Sequence, residues 1–151
     1  MKYFAIMNIL VIRMDILKRI CAETNIDISV AFRNSFIVSA DNSHAVHPNH
    51  PTKSDVSNLS YFNKGILVVR EKDTMTDSIS SSIFKEICKK AKVPYQDSAS
   101  RNDLSTGSTL SGLSIRHVST DSIDVGIPQL AMHSSRELIG CDDLFYLYNA
   151  F

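Results

Sequence analysis

Ser39-Ala-Asp-Asn-Ser-His-Ala-Val-His-Pro-Asn-His50 follows directly on the apolar run Phe36-Ile-Val38. It places one carboxylate, Asp41, and three imidazoles, His44, His47 and His50, at the end of a predicted strand. Residues 35–40 are β-type and too short for a helix. In α/β sheets, ligands sit just beyond the carboxyl ends of the strands. The stretch therefore bears on fold and site together: a strand that delivers oxygen and nitrogen donors to the lip of a sheet. Carboxylate and imidazole are both zinc ligands, so the cluster is a candidate metal or acid/base site.

Upstream of it, Ile9, Leu10, Ile12, Ile16, Leu17 and Ile20 recur at three- and four-residue spacing with charges at 13, 15, 18 and 19, which predicts an amphipathic helix over Ile6 to Ala22. The apolar start of this segment imitates a signal sequence. It continues into Arg13, Asp15, Lys18 and Arg19 with no small-residue cleavage site, and it falls short of the ~20 residues that cross a bilayer. A short helical piece is expected over Ser29 to Asn34. Downstream, Pro48 and Pro51 predict an irregular loop. Ile66-Leu-Val-Val69 reads as a buried strand. Thr76 or Asp77 caps a helix with Ile79, Ile83, Phe84, Ile87, Cys88 and Ala91 on one face, stopped by Pro94. A short strand near Val93 to Gln96 is followed by a polar stretch, Asp97 to Ser114. Ser122-Ile-Asp-Val-Gly126 is a further strand. Ser134-Ser-Arg-Glu137 has the form of a capping box, which would hold His133 at the start of a helix, and a last helix is expected over Asp143 to Phe151. Strands alternating with helices predict an α/β layered domain with a largely parallel sheet.

The 151 residues suit one domain, and 44% hydrophobic with 21% charged residues excludes a disordered chain. Lys plus Arg and Asp plus Glu balance at 16 each, so no net field favours nucleic acid or an anionic membrane. Cys21, Cys88 and Cys141 are widely spaced and form no Cys-x-x-Cys, which argues for free thiols in a reducing compartment rather than a disulfide framework or cysteine zinc site.

Asp41 and His133 each lie just past a predicted strand or loop end, and such ends converge in a wound sheet, so a metal shared between them is one reading. Isolated surface residues are the other. His44 and His47 lie in a loop, where one site histidine and one histidine bonded to loop backbone is the favoured pairing. Gly107-Ser-Thr109 either presents N–H groups to a substrate oxyanion or is an ordinary turn. Ser108 lacks a nucleophile elbow. Lys64 and Arg70 flank the second strand, as partners of an acidic group or as solvated strand ends.

Ser39-Ala-Asp41 with His44-Ala-Val-His-Pro-Asn49, then Asn63-Lys-Gly65, Ile83-Phe-Lys-Glu-Ile-Cys88, Val93-Pro94, Arg101-Asn-Asp103, Gly107-Ser-Thr109 and Asp124-Val-Gly-Ile-Pro-Gln-Leu-Ala-Met-His-Ser134 resemble the aspartyl aminopeptidase family of zinc metallopeptidases in order and spacing. The resemblance implies a three-layer α/β/α, phosphorylase/hydrolase-like catalytic domain with two zinc ions that releases N-terminal, acidic residues from peptides. By motif it implies Asp41 as a ligand of one zinc and His133 as a ligand of the other. His44 falls on the substrate side, and Gly107, Ser108 and Thr109 line the same cleft. The family's further histidine, bridging aspartate and Glu-Glu pair have no counterpart, since residues 1–15 contain neither histidine nor glutamate. Val69 stands where the family carries a substrate-meeting lysine, with Arg70 as the available substitute, and Thr106 stands where the family has cysteine or glycine.

The expectation is therefore a non-matching N-terminal helix segment, 1–15, and the C-terminal part of a zinc aminopeptidase catalytic domain, 16–151. No catalytic residue is expected in this chain, and its activity alone should be low. Its partners would be a peptide substrate and a complementary or full-length aminopeptidase chain in the cytoplasm, with no nucleic acid or membrane. The alternative is a non-catalytic, degenerate paralogue that binds a full-length aminopeptidase.

Overall fold

The computed structural model describes residues 14–71, 74–104 and 120–151. Helix α1 occupies 14–23, and Asn25, at φ 54°, turns the chain out of it. Helix α2 (Ile28–Arg33) begins where the Asp27 carboxylate accepts from the N–H groups of Ser29 and Val30, at 2.8 and 3.1 Å. These cap bonds hold the Asp27 pKa below its ordinary value, the Ser29 hydroxyl contributing most.

Four strands form the main sheet: β1 (Phe36–Ala40), β3 (Ile66–Arg70), β4 (Tyr95–Ala99) and β5 (Asp121–Gly126), in the order β1-β5-β3-β4. Three short strands, β2 (Ser43–His44), β6 (Pro128–Leu130) and β7 (Leu138–Ile139), make a second sheet in the order β2-β6-β7. The α/β class holds. The largely parallel arrangement holds too, with one exception: β1 runs parallel to β5 and β3 to β4, while β3 is antiparallel to β5. Ile66 to Val69 and Ser122 to Gly126 are buried throughout. An uninterrupted buried run gives no indication of strand direction, which is why the apolar pattern was silent on it.

Helix α3 (Ser78–Ala91) and helix α4 (Cys141–Ala150) cover one face of this sheet. There Phe84, Cys88, Tyr146, Leu147 and Ala150 pack on Ile66, Val68, Ile123 and Val125. Full burial of a side chain such as Phe84 stabilises by roughly 1.5–3 kcal/mol. The buried residues of α3 are Ser80, Ser81, Phe84 and Cys88, whereas Ile79, Ile83 and Ile87 are exposed, so its buried face is displaced from the expected one. The displacement follows from the two serines. Ser80 closes the capping box with Asp77, and Ser81 Oγ accepts from Arg70 Nη2 at 2.8 Å.

The capping box at Ser134 is corrected too, for residues 131–137 form turns and no helix. Ala131 (φ 54°) and His133 (φ 67°) are left-handed, a conformation no helix propagates. Glu137 Oε1 instead accepts from His133 N–H at 2.6 Å, and Ser134 Oγ accepts from Arg136 N–H at 3.1 Å. The strand expected near Val93 begins later and runs to Ala99, into the span expected to be polar loop.

Candidate metal and substrate site at the strand ends

Asp41 is the first residue past β1, where its N–H donates to Val125 O at 2.8 Å and extends the parallel ladder by one bond. The chain then leaves the main sheet over Gly126. A Cβ on Gly126 would overlap the Asp41 carbonyl, so that position admits no side chain. Here glycine serves close backbone approach rather than flexibility.

From the crossing, both segments of the chain enter the second sheet together. Ser43 pairs with Pro128 and His44 with Gln129. Asn42 Nδ2 donates to Gln129 Oε1 at 2.9 Å, and Asn42 Oδ1 accepts from Ile127 N–H at 3.4 Å. Gln129 is buried. The lock explains how Asp41 and His44 are held on one short path although both are exposed. The β6–β7 connection then carries His133, exposed, with its backbone tied to Glu137. The fold thus brings the ends of β1 and β5 together, and β6 leads from there to His133.

His47 and His50 belong to the next loop. His47 Nδ1 accepts from Asn49 N–H at 3.2 Å, the backbone bond expected of one histidine of the cluster, and the two rings lie 5.2 Å apart between centroids. Gly107, Ser108 and Thr109 lie outside the described residues, as does Thr106.

Zinc requires about four donors. Among the described residues there is no group of three or more His, Cys, Asp or Glu side chains able to hold a metal. Asp41 and His133 are suitable in kind, but the described residues do not complete a zinc site. Cys88 adds nothing, since it is buried in the core and burial pushes its thiol pKa up.

Around the site, sequence reasoning missed several polar anchors. Asp124, buried in β5, accepts from Met75 N–H at 3.0 Å, while its own N–H donates to Thr76 Oγ1 at 3.0 Å. Asp143, fully buried in α4, accepts from the N–H groups of Asn63 and Gly65 at 2.7 and 3.0 Å, and Asn63 Oδ1 accepts from Asp142 N–H at 3.0 Å. An Asp in the first turn of a predicted helix beside an Asn-x-Gly turn elsewhere was the only available signal. Arg70 is not a free cation: it lies 3.3 Å from Asp97 Oδ1 and bonds Ser81, while Lys85 Nζ donates to both Asp97 oxygens at 2.8 Å.

The described residues form an α/β domain in which a carboxylate and an imidazole are carried past strand ends, the place where such sheets keep their ligands. The family model for Aminopeptidase I zinc metalloprotease (M18) matches residues 6–151, and the chain belongs to that family. A probable M18 family aminopeptidase 2 of Clostridium novyi is 44% identical over 87% of this chain and 32% of its own length. A probable aspartyl aminopeptidase of Ricinus communis is 38% identical over 91% of this chain and 29% of its own. In a cryo-EM structure of an Ape4 and Nbr1 complex, a chain 34% identical superposes with a TM-score of 0.83, covering 91% of this chain and 27% of that one. A crystal structure of prApe1 gives 0.77 at 26% identity, over 83% of this chain and 27% of that one. The chain spans about a third of the length of the curated relatives it matches.

Proposed function

We propose that residues 16–151 contribute the C-terminal part of a zinc aminopeptidase catalytic domain, which removes N-terminal residues, acidic ones by preference, from peptides. In this reading Asp41 is a ligand of one zinc ion and His133 of a second, and His44 with Gly107, Ser108 and Thr109 contacts the substrate. The observation that carries it is the crossing of Asp41 over Gly126, which holds an exposed carboxylate at adjoining strand ends. Bound zinc would supply Lewis acidity to such a site. The chain's own residues orient and bind. They include no matched general base, and the remaining ligands belong to another stretch of polypeptide, in the same or a complementary chain. The acidic preference leans on the name of the Ricinus relative, with Arg70 already engaged by Asp97. In this reading the compartment is the cytoplasm, a reducing setting that suits Cys21, Cys88 and Cys141 as free thiols.

Assays of the purified chain with zinc on aspartyl and glutamyl anilides should show no turnover. Turnover that Asp41→Asn abolishes would overturn the incomplete-site reading. Co-expression with the part of the Clostridium novyi relative that this chain does not match should restore zinc-dependent hydrolysis, and Asp41→Asn should remove it. A second reading, a non-catalytic partner of a full-length aminopeptidase, is favoured by the exposed Leu144, Phe145, Tyr148 and Phe151 of the C-terminal helix and its end. Co-elution of the purified chain with a full-length relative would support it, and a strictly monomeric chain that ignores the relative would reject it.

A further inference from the structure

Strand β1 lies at a rim of the main sheet but has the make-up of an interior strand. Its apolar side chains fall on both faces: Phe36 and Val38 pack against the core, and alternation puts Ile37 on the other side. Natural edges carry charges, prolines or bulges that stop another strand from adding. The opposite rim, β4, meets this rule, with Gln96, Asp97 and Ser98 in its middle and both Lys85 and Arg70 ion-paired to Asp97. β1 has no charge and no proline. Its neighbour β5 is buried from Ser122 to Gly126, whereas β1 is half-buried from Phe36 to Ser39 and exposed at Ala40. Asp41 N–H donates to Val125 O, so Ile37, Ser39 and Asp41 turn their peptide groups to β5, and Phe36, Val38 and Ala40 turn theirs outward. Among the described residues no strand meets that outer side.

We propose that β1 is the seam at which a separate polypeptide adds a strand to this chain: an uncharged, apolar strand from the rest of an M18 catalytic domain, running parallel to β1. This rests on the reading of residues 16–151 as the C-terminal part of that domain. The chain spans about a third of its relatives' length, so the part it does not match contains a donor for the strand. Direction follows from the lip of the sheet. Such sheets keep their ligands beyond the carboxyl ends of the strands, and a parallel neighbour is the one whose carboxyl end arrives beside Asp41. β-branched or aromatic side chains suit the added strand, because across the seam it meets Phe36, Ile37 and Val38.

The test is co-expression of the tagged chain with the part of the Clostridium novyi relative that it does not match, followed by co-purification and amide exchange. In the complex the outward amides of Phe36, Val38 and Ala40 should exchange at least about tenfold more slowly than in the dilute isolated chain. Those of Tyr95, Asp97 and Ala99, which face outward on β4 because Ile66 N–H donates to Pro94 O, should not change. Ala40→Pro removes one outward donor, leaves the β5 ladder whole and is tolerated at a rim. It should weaken the complex about tenfold, whereas Ala99→Pro on the other rim should leave it within about twofold. If Ala40→Pro does not fold, exchange in the parent complex decides. A complex whose β1 amides exchange as in the isolated chain overturns the seam and leaves the catalytic reading standing. Failure to co-purify does the same, because that reading also admits ligands from the same chain. Protection of the β1 amides already in the dilute isolated chain, with a dimer in sedimentation, makes a second copy the occupant and overturns the proposal. A complex protected along β1 that hydrolyses neither aspartyl nor glutamyl anilide supports the seam and overturns the catalytic reading.

Discussion

At the scale of single residues, the positions that organise the site are the ones whose chemistry is masked in sequence by their neighbours. Asp41 and His133 could be singled out because each follows an apolar run. Gly126 reads only as a turn, and the close approach of the Asp41 carbonyl is a tertiary fact. Replacing Gly126 with alanine pushes a methyl into backbone that cannot swing aside. We expect it to destabilise by about 1–3 kcal/mol, visible as a lowered denaturant midpoint, and to shift the amide resonances of Asp41 and Asn42. Asp143 was legible as a helix residue and nothing more. Asp143→Ala would leave the N–H groups of Asn63, part-buried, and Gly65, buried, without their acceptor. A loss of about 2–5 kcal/mol follows from two orphaned donors. Equilibrium unfolding measures it, and a loss below 1 kcal/mol would mean that water replaces the carboxylate there. His133 differs from the expectation in its backbone, whose left-handed φ no sequence motif announced.

Elements show a sharper division between what local chemistry encodes and what packing decides. The boundaries of α3 were readable because Asp77, the terminal lysines and Pro94 act locally. Its buried face was not, because Ile79, Ile83 and Ile87 are more apolar than Ser80 and Ser81 and the helical period fits either stripe. Truncation separates the two: Phe84→Ala should cost about 3–5 kcal/mol. Ile83→Ala, 42% exposed, should cost well under half of that. Asp77 supplies a pH dependence. The Ser80 backbone N–H, and after it the Ser80 hydroxyl, hold its pKa below the ordinary 3.8. Its contribution is therefore fully present above 3.8 and is lost as pH falls through the lower folded value. Between pH 5 and pH 2 the melting temperature of the parent should fall more steeply than that of Asp77→Ala. Parallel slopes would show that the cap is not populated.

For the molecule as a whole, the alternation of strand and helix was enough to give the α/β class and the succession of main elements. It did not give the opposed direction of the two strand pairs or the small second sheet. Two-residue strands such as Ser43–His44 and Leu138–Ile139 carry no periodicity of their own and exist because β6 offers them edges. The strand order has a further consequence for handling the protein. Among the described residues β1 and β4 bound the main sheet, and they are unlike. The β4 rim, Tyr95-Gln-Asp-Ser-Ala99, carries an ion-paired aspartate, while the β1 rim, Phe36-Ile-Val-Ser-Ala40, has no charge and no proline. An uncharged rim of open peptide groups is a template for edge-to-edge growth, and a net charge of zero provides no repulsion against it. Light scattering at rising concentration should therefore show association that begins along Phe36 to Ala40. Protection of those amides from solvent exchange should rise with it, whereas the amides of Tyr95 to Ala99 remain as they are in the dilute chain.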